Sequence, residues 1–245
     1  MKISFSDEIA EKGRQVYDLW AKSVITVRAS INISISENEE ESVSQCTGML
    51  VQPRGVAVLA LSALDPSVLL DPEVRKGVMI RINYVKMIFK DDKEVNAEVL
   101  LQDKDRDIMV IRAKENLPED IAIVSLEDDN VTGVKVLDPL LMFMQMGKIA
   151  KRTHSVSVLR VESIVDQPFL FYTVDQGRAL DVLSSPFFTL EGKFVGLGVV
   201  RIMEGWKEEV EGNSMVIIMP AKQIISVIKE ALSIVGNEKG KTDNK

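Results

Sequence analysis

One cysteine and one histidine in 245 residues exclude more chemistry than any motif here suggests. Cys46 has no partner for an internal disulfide. A Cys/His zinc site needs three or four such ligands, and this chain cannot supply them. A Ser-His-Asp triad has only His154 to use as its base. No cofactor and no metal are called for. Positive charge is also scarce: 30 Lys and Arg stand against 37 Asp and Glu, a formal charge of −7. Sequence-independent nucleic-acid binding rests on clustered cations that neutralise phosphates, so that partner class is excluded. No apolar run reaches 18 residues, so membrane insertion is not expected. The opening MKISFSDEIAEKG turns acidic without a continuous apolar stretch and does not read as a signal peptide. As written the chain reads as cytoplasmic; it would be secreted or organellar if a targeting segment had been removed.

What the chain has in quantity is short β-patterned segments. Residues 1–22 read as an N-terminal helical segment, capped by Ser6, with Ile9, Val16, Leu19 and Trp20 as a partial apolar stripe. Residues 23–116 and 133–219 each hold about six strands separated by polar turns, with 117–132 as the connection between them. Residues 220–236 read as a closing amphipathic helix with Ile224, Ile225, Ile228, Leu232 and Val235 on one face. Gly236 is expected to end it, leaving 237–245 as a disordered tail. The acidic run ENEEE (37–41) reads as the tip of a solvated loop. The fold class expected is all-β: two six-stranded antiparallel barrels flanked by a helix at each end.

Three segments, in order, resemble the catalytic motifs of the chymotrypsin-fold serine proteases, and most those of the bacterial HtrA/Deg branch. In CTGMLVQPRGVAVLALSALDP (46–66), the turn Leu61-Ser62-Ala63-Leu64 stands where the family has Thr-x-Ala-His, so Leu64 occupies the position of the base. In AEVLLQDKDRDIMVIRAKENLP (97–118), Asp107 falls on the aspartate that orients the histidine. In ALDVLSSPFFTLEGKFVGLG (179–198), Asp181-Val182-Leu183-Ser184-Ser185-Pro186 replaces Gly-Asn/Asp-Ser-Gly-Gly-Pro, and Gly192 follows at the family's offset. Leu183 therefore stands at the nucleophile. The resemblance covers roughly residues 20 to 235; no PDZ-like region follows. It implies a trypsin-like two-barrel fold with a cleft between the barrels. It also implies a pseudoprotease, because acyl transfer without nucleophile and base has no attacking atom and no proton acceptor.

The degenerate oxyanion loop Asp181, Val182, Leu183 is expected to oppose an oxyanion, since Asp181 adds negative charge beside it and the loop has lost its glycines. The family binds substrate by adding a strand beside the segment that matches Leu197, Gly198, Val199, Val200 and Arg201. That edge is a candidate peptide-binding site, unless the loop EGWKEEVEGNS (204–214) covers it. Ser184 and Ser185 are read as turn residues, with a displaced nucleophile as the alternative. Asp107 is expected to bond backbone donors or face water; left buried beside Leu64, its pKa would rise instead. His154 is read as a strand-end residue and Cys46 as a small strand residue. Met142, Met144 and Met146 should share one strand face. The expected function is protein or peptide binding in a regulatory or scaffolding role, with a homo-oligomer left open. Two alternatives remain: a hydrolase using a displaced serine, and a structural subunit whose cleft is closed by Leu64 packing on Leu183.

Overall fold

The computed structural model describes residues 5–35, 38–70, 74, 76–175, 177, 179–202 and 214–242. Alternating apolar residues build the first half. β1 (Val24–Ile35), β2 (Asn38–Val51), β3 (Val56–Ala60), β4 (Val78–Ile88), β5 (Glu94–Asp103) and β6 (Ile108–Ala113) close into a barrel. Its order is β1-β2-β3-β6-β5-β4, and β1 closes the ring by pairing with both neighbours, Val27 facing Cys46 on one side and Met87 on the other. Strand geometry sends every second side chain inward, so Ile25, Val27, Ala29 and Ile31 fill the barrel with Leu50, Leu59, Met87 and Met109.

The second half is a curled seven-stranded sheet. β7 (Pro139–Gln145), β8 (His154–Arg160), β9 (Ser163–Val165), β10 (Phe171–Thr173), β11 (Pro186–Phe188), β12 (Phe194–Ile202) and β13 (Ser214–Pro220) lie in the order β8-β7-β11-β12-β13-β10-β9. The run THSVSVLRVESI (153–164) makes two strands, β8 and β9, and they form the opposite edges of this sheet. The break comes at Val161 and Glu162, where Val161 N bonds Asp138 O and Glu162 N bonds Thr173 O. The chain thus passes directly from one edge to the other, curling the sheet into a half-barrel without a ladder across the gap. The two-barrel expectation holds in outline: the architecture is mostly β and compatible with a trypsin-like fold.

A core between the halves joins them. It unites Met49, Val58 and Val110 from the barrel with Phe143, Phe188, Phe194, Leu197 and Met219 from the sheet. Helix α1 (Phe5–Trp20) caps this core, stacking Trp20 on Phe188 at 5.9 Å and donating Trp20 Nε1 to Gly192 O at 2.7 Å. A single turn, α2 (Ala179–Val182), precedes β11. In α3 (Ala221–Thr242) Ile224, Ile225 and Ile228 enter the core and Leu232 packs against it; the Val235 side chain lies outside the described residues. The connection 117–132 bridges both halves, pairing Val124 with Val51 and Val131 with Phe194. Among the described residues no helix is long and apolar enough to cross a membrane.

Two local expectations are corrected. The acidic run is not a loop tip: Asn38 to Glu41 are part of β2, paired with Asn32 to Ile35, while Glu37 lies outside the described residues. Cross-strand donors hold it there, Asn32 Nδ2 to Glu39 Oε1 and Ser30 Oγ to Glu41 Oε1. Gly236 does not end α3, which stays helical to Thr242. A helical glycine costs only about 1 kcal/mol relative to alanine, too little to force a stop.

Candidate functional site

Asp107 sits where β6 begins, 3% exposed and in a left-handed conformation (φ +55°) that asparagine and aspartate tolerate better than most residues. Its carboxylate accepts three hydrogen bonds. Oδ1 takes Ser62 N at 2.6 Å, and Oδ2 takes Ser62 Oγ and Val200 N, both at 2.7 Å. Ser62 belongs to the turn that carries Leu64, and Val200 belongs to β12 of the sheet. The acid is therefore a buried tie between the halves. Burial pushes its pKa above the ordinary 3.8, against the opposing pull of the bonds from Val200 and Ser62 and the charge of Arg201.

Leu64 and Leu183 do not close a cleft by packing as a pair. The 61–65 turn, with Leu64 N and Asp65 N both bonded to Leu61 O, sends Leu64 into the barrel interior, where it is 0% exposed. Leu183 is half-buried against the separate core between the halves. The next residue, Ser184, takes a left-handed conformation that favours glycine, φ +63°. Its buried Oγ donates to Thr47 O at 2.6 Å and accepts from Ala60 N at 2.9 Å. Ser185 Oγ donates to Asp181 O at 2.7 Å. Each hydroxyl thus gives its proton to a backbone carbonyl, and among the described residues neither is bonded to a base.

The candidate edge Leu197–Val200 is not open. β12 is an interior strand, paired with β13 from Gly196 to Ile202 and with β11 from Phe194 to Leu197. Beyond β11, the 182–185 loop occupies the same side: Ser184 N bonds Gly198 O at 2.8 Å and Gly198 N bonds Ser185 O at 2.9 Å. Val200 N is taken by Asp107. The loop expected over 204–214 falls, apart from Ser214, outside the described residues.

Space survives beside this joint. A cavity of about 340 Å³ has Ala63, Cys46 and Thr26 from the barrel on one side, and Leu183, Met144 and Arg152 from the second half on the other. Burial pushes the Cys46 thiol up to about 12, so it remains protonated at neutral pH. The methionines grade outward: Met142 is fully buried, Met144 half-buried at the cavity wall and Met146 44% exposed. A polar chain runs along the wall. Arg152 Nε donates to Asp92 Oδ1 at 2.9 Å, Arg152 Nη1 to Thr26 Oγ1 at 3.2 Å, and Thr26 Oγ1 to Gln145 Oε1 at 2.7 Å. His154, at the start of β8, donates Nε2–H to Val24 O at 2.8 Å, and burial holds its pKa below 6.5. It is neutral at pH 7 and has no bond to Asp107, Ser184 or Ser185.

Thr26, Gln145 and Arg152 carry no signal in the sequence. Thr26 is one outward position of an alternating strand, and Arg152 lies in a basic turn that reads as surface. No protein-family model matches the chain, and no curated protein matches it.

Proposed function

We propose that this chain is a catalytically inactive relative of the trypsin-like proteases, nearest the HtrA/Deg branch, that acts by binding protein or peptide without hydrolysing it. The observation that carries this reading is Ser184 Oγ held between Thr47 O and Ala60 N. A serine whose proton is committed to a carbonyl, with no base beside it, has lost both halves of nucleophile activation. Removing either nucleophile or base from a protease triad costs about 10⁶ in kcat. Asp107 supports the same reading, because its lone pairs hold Ser62 and Val200 rather than an imidazole. The retained cavity favours binding over a purely structural role, while the occupied Leu197–Val200 side favours the structural one.

Fluorescein-labelled, unfolded casein separates these readings. Titrated with the protein, it should give a saturable rise in anisotropy and stay intact by mass spectrometry over a day. Cleavage would end the reading in favour of a hydrolase. Absence of binding would hand it to the structural subunit.

A further inference from the structure

Arg152 makes the cavity more than leftover space. Its side chain is 4% exposed, and it sits in a turn where Lys151 and Arg152 both hold φ +53°. Consecutive left-handed non-glycine residues are costly and persist where surrounding structure imposes them. A guanidinium carries five N–H donors in a fixed fork. Here Nε serves Asp92 and one Nη1 proton serves Thr26; the other three, on Nη1 and Nη2, have no protein acceptor among the described residues. That end of the fork takes a carboxylate bidentately. Asp92 is 45% exposed and engages Nε alone, so it leaves this end free.

We propose that this cavity is a binding site for a peptide-like carboxylate, which Arg152 receives on its Nη1/Nη2 end. The assignment rests on the binding reading above and specifies its site and ligand chemistry. Met144, Ala63 and Leu183 form an apolar wall suited to an aliphatic side chain next to the carboxylate. Asp181 lines the same cavity from α2. The ligand lies with its carboxylate at Arg152 and its aliphatic side chain against Met144, Ala63 and Leu183. The carboxylate can come from a chain terminus or from an acidic side chain; the chemistry at Arg152 is the same.

The test is an NMR titration of the full chain, following the Arg152 Nε–Hε signal and the amides of Thr26 and Gln145. Three probes are compared: N-acetyl-leucine, its methylamide, and N-acetyl-aspartic acid α-methylamide. At least one carboxylate should saturate those signals at about millimolar concentration, as ligands of this size do, while the leucine methylamide should not. Which carboxylate binds tells the terminal source from the side-chain source. Arg152→Gln should weaken binding at least tenfold. Because that variant also breaks a buried ion pair, Gly147→Asp is the second. Gly147 lines the cavity at φ −63°, and a Cβ there meets nothing within 4 Å, so its new carboxylate should occupy the site without disturbing the fold and again cost tenfold. Equal binding of the leucine carboxylate and its methylamide, no binding of either carboxylate, or unchanged binding in folded Gly147→Asp would overturn the proposal. Casein titrated into the same samples keeps the failures apart: casein bound with no carboxylate response sinks this site alone, and neither bound sinks the binding reading too.

Discussion

Asp107→Ala should lower stability by about 4 kcal/mol or more, because it strands Ser62 N, Ser62 Oγ and Val200 N in a buried interface. Each buried group left without its partner costs about 1–3 kcal/mol. Alanine also pays about 1–2 kcal/mol for the left-handed backbone that Asp107 adopts. Total stabilities of about 5–15 kcal/mol leave little margin for such a loss. The urea midpoint of the variant should fall sharply. Asp107→Asn keeps one acceptor oxygen and tolerates the backbone, so it should lose less. A change below about 1 kcal/mol in Asp107→Ala would mean that the tie holds nothing.

The same pair of proteins gives a pH test with a definite sign. Burial raises the folded-state pKa of Asp107 above 3.8, so the folded protein takes up this proton at higher pH than the unfolded chain does. The stability that this proton contributes is therefore fullest below 3.8 and is lost as pH rises through the raised value. Asparagine does not titrate. The stability of the wild type relative to Asp107→Asn should rise on acidification across that window, and a fall would contradict the assignment.

Gly198→Ala should cost about 3 kcal/mol or more, the upper end of what overpacking does. A Cβ at Gly198 would stand 1.8 Å from Val182 O and 2.7 Å from Val182 C. These are backbone atoms of the loop that donates Ser184 N to Gly198 O and accepts Gly198 N at Ser185 O. The clash cannot be relieved by a rotamer change; the loop must lift away from β12, and both bonds go with it. Gly196→Ala meets Met219 O at 2.1 Å and should behave alike. Gly147→Ala, in open space, should stay within about 0.5 kcal/mol. Thermal melts of the three variants check the contrast, and equal melting temperatures would refute it.

Much of the fold was legible because its information is local. Strict alternation in VITVRASINISI reads directly as a strand with Ile25, Val27, Ala29 and Ile31 inward, and those residues fill the barrel. The helices read equally well from their apolar faces. The acidic run was misread because its reasons lie elsewhere, in Ser30 and Asn32 on the neighbouring strand. The break at Val161 and Glu162 depends on Asp138 and Thr173, which the pattern of 153–164 cannot contain. The site was legible as a set of positions and not as contacts. Asp107 stands out by its place in a motif, yet its partners are 45 and 93 residues away. Ser184 read as a turn residue, and nothing near it announces that its hydroxyl would cross to Thr47 and Ala60. Arg152 was invisible for the same reason: only tertiary structure turns a surface-like arginine inward.

Asp107 and Ser184 tie the two halves together; whether either half of that joint also carries a reactive serine is tested most directly with a fluorophosphonate. Purified protein and its Ser184→Ala, Ser185→Ala variant would be incubated with the probe and read by intact mass, alongside cleavage of a broad peptide library. No serine adduct and no cleavage are expected in either protein. An adduct that forms on the wild type, disappears in the variant and is accompanied by turnover would contradict this.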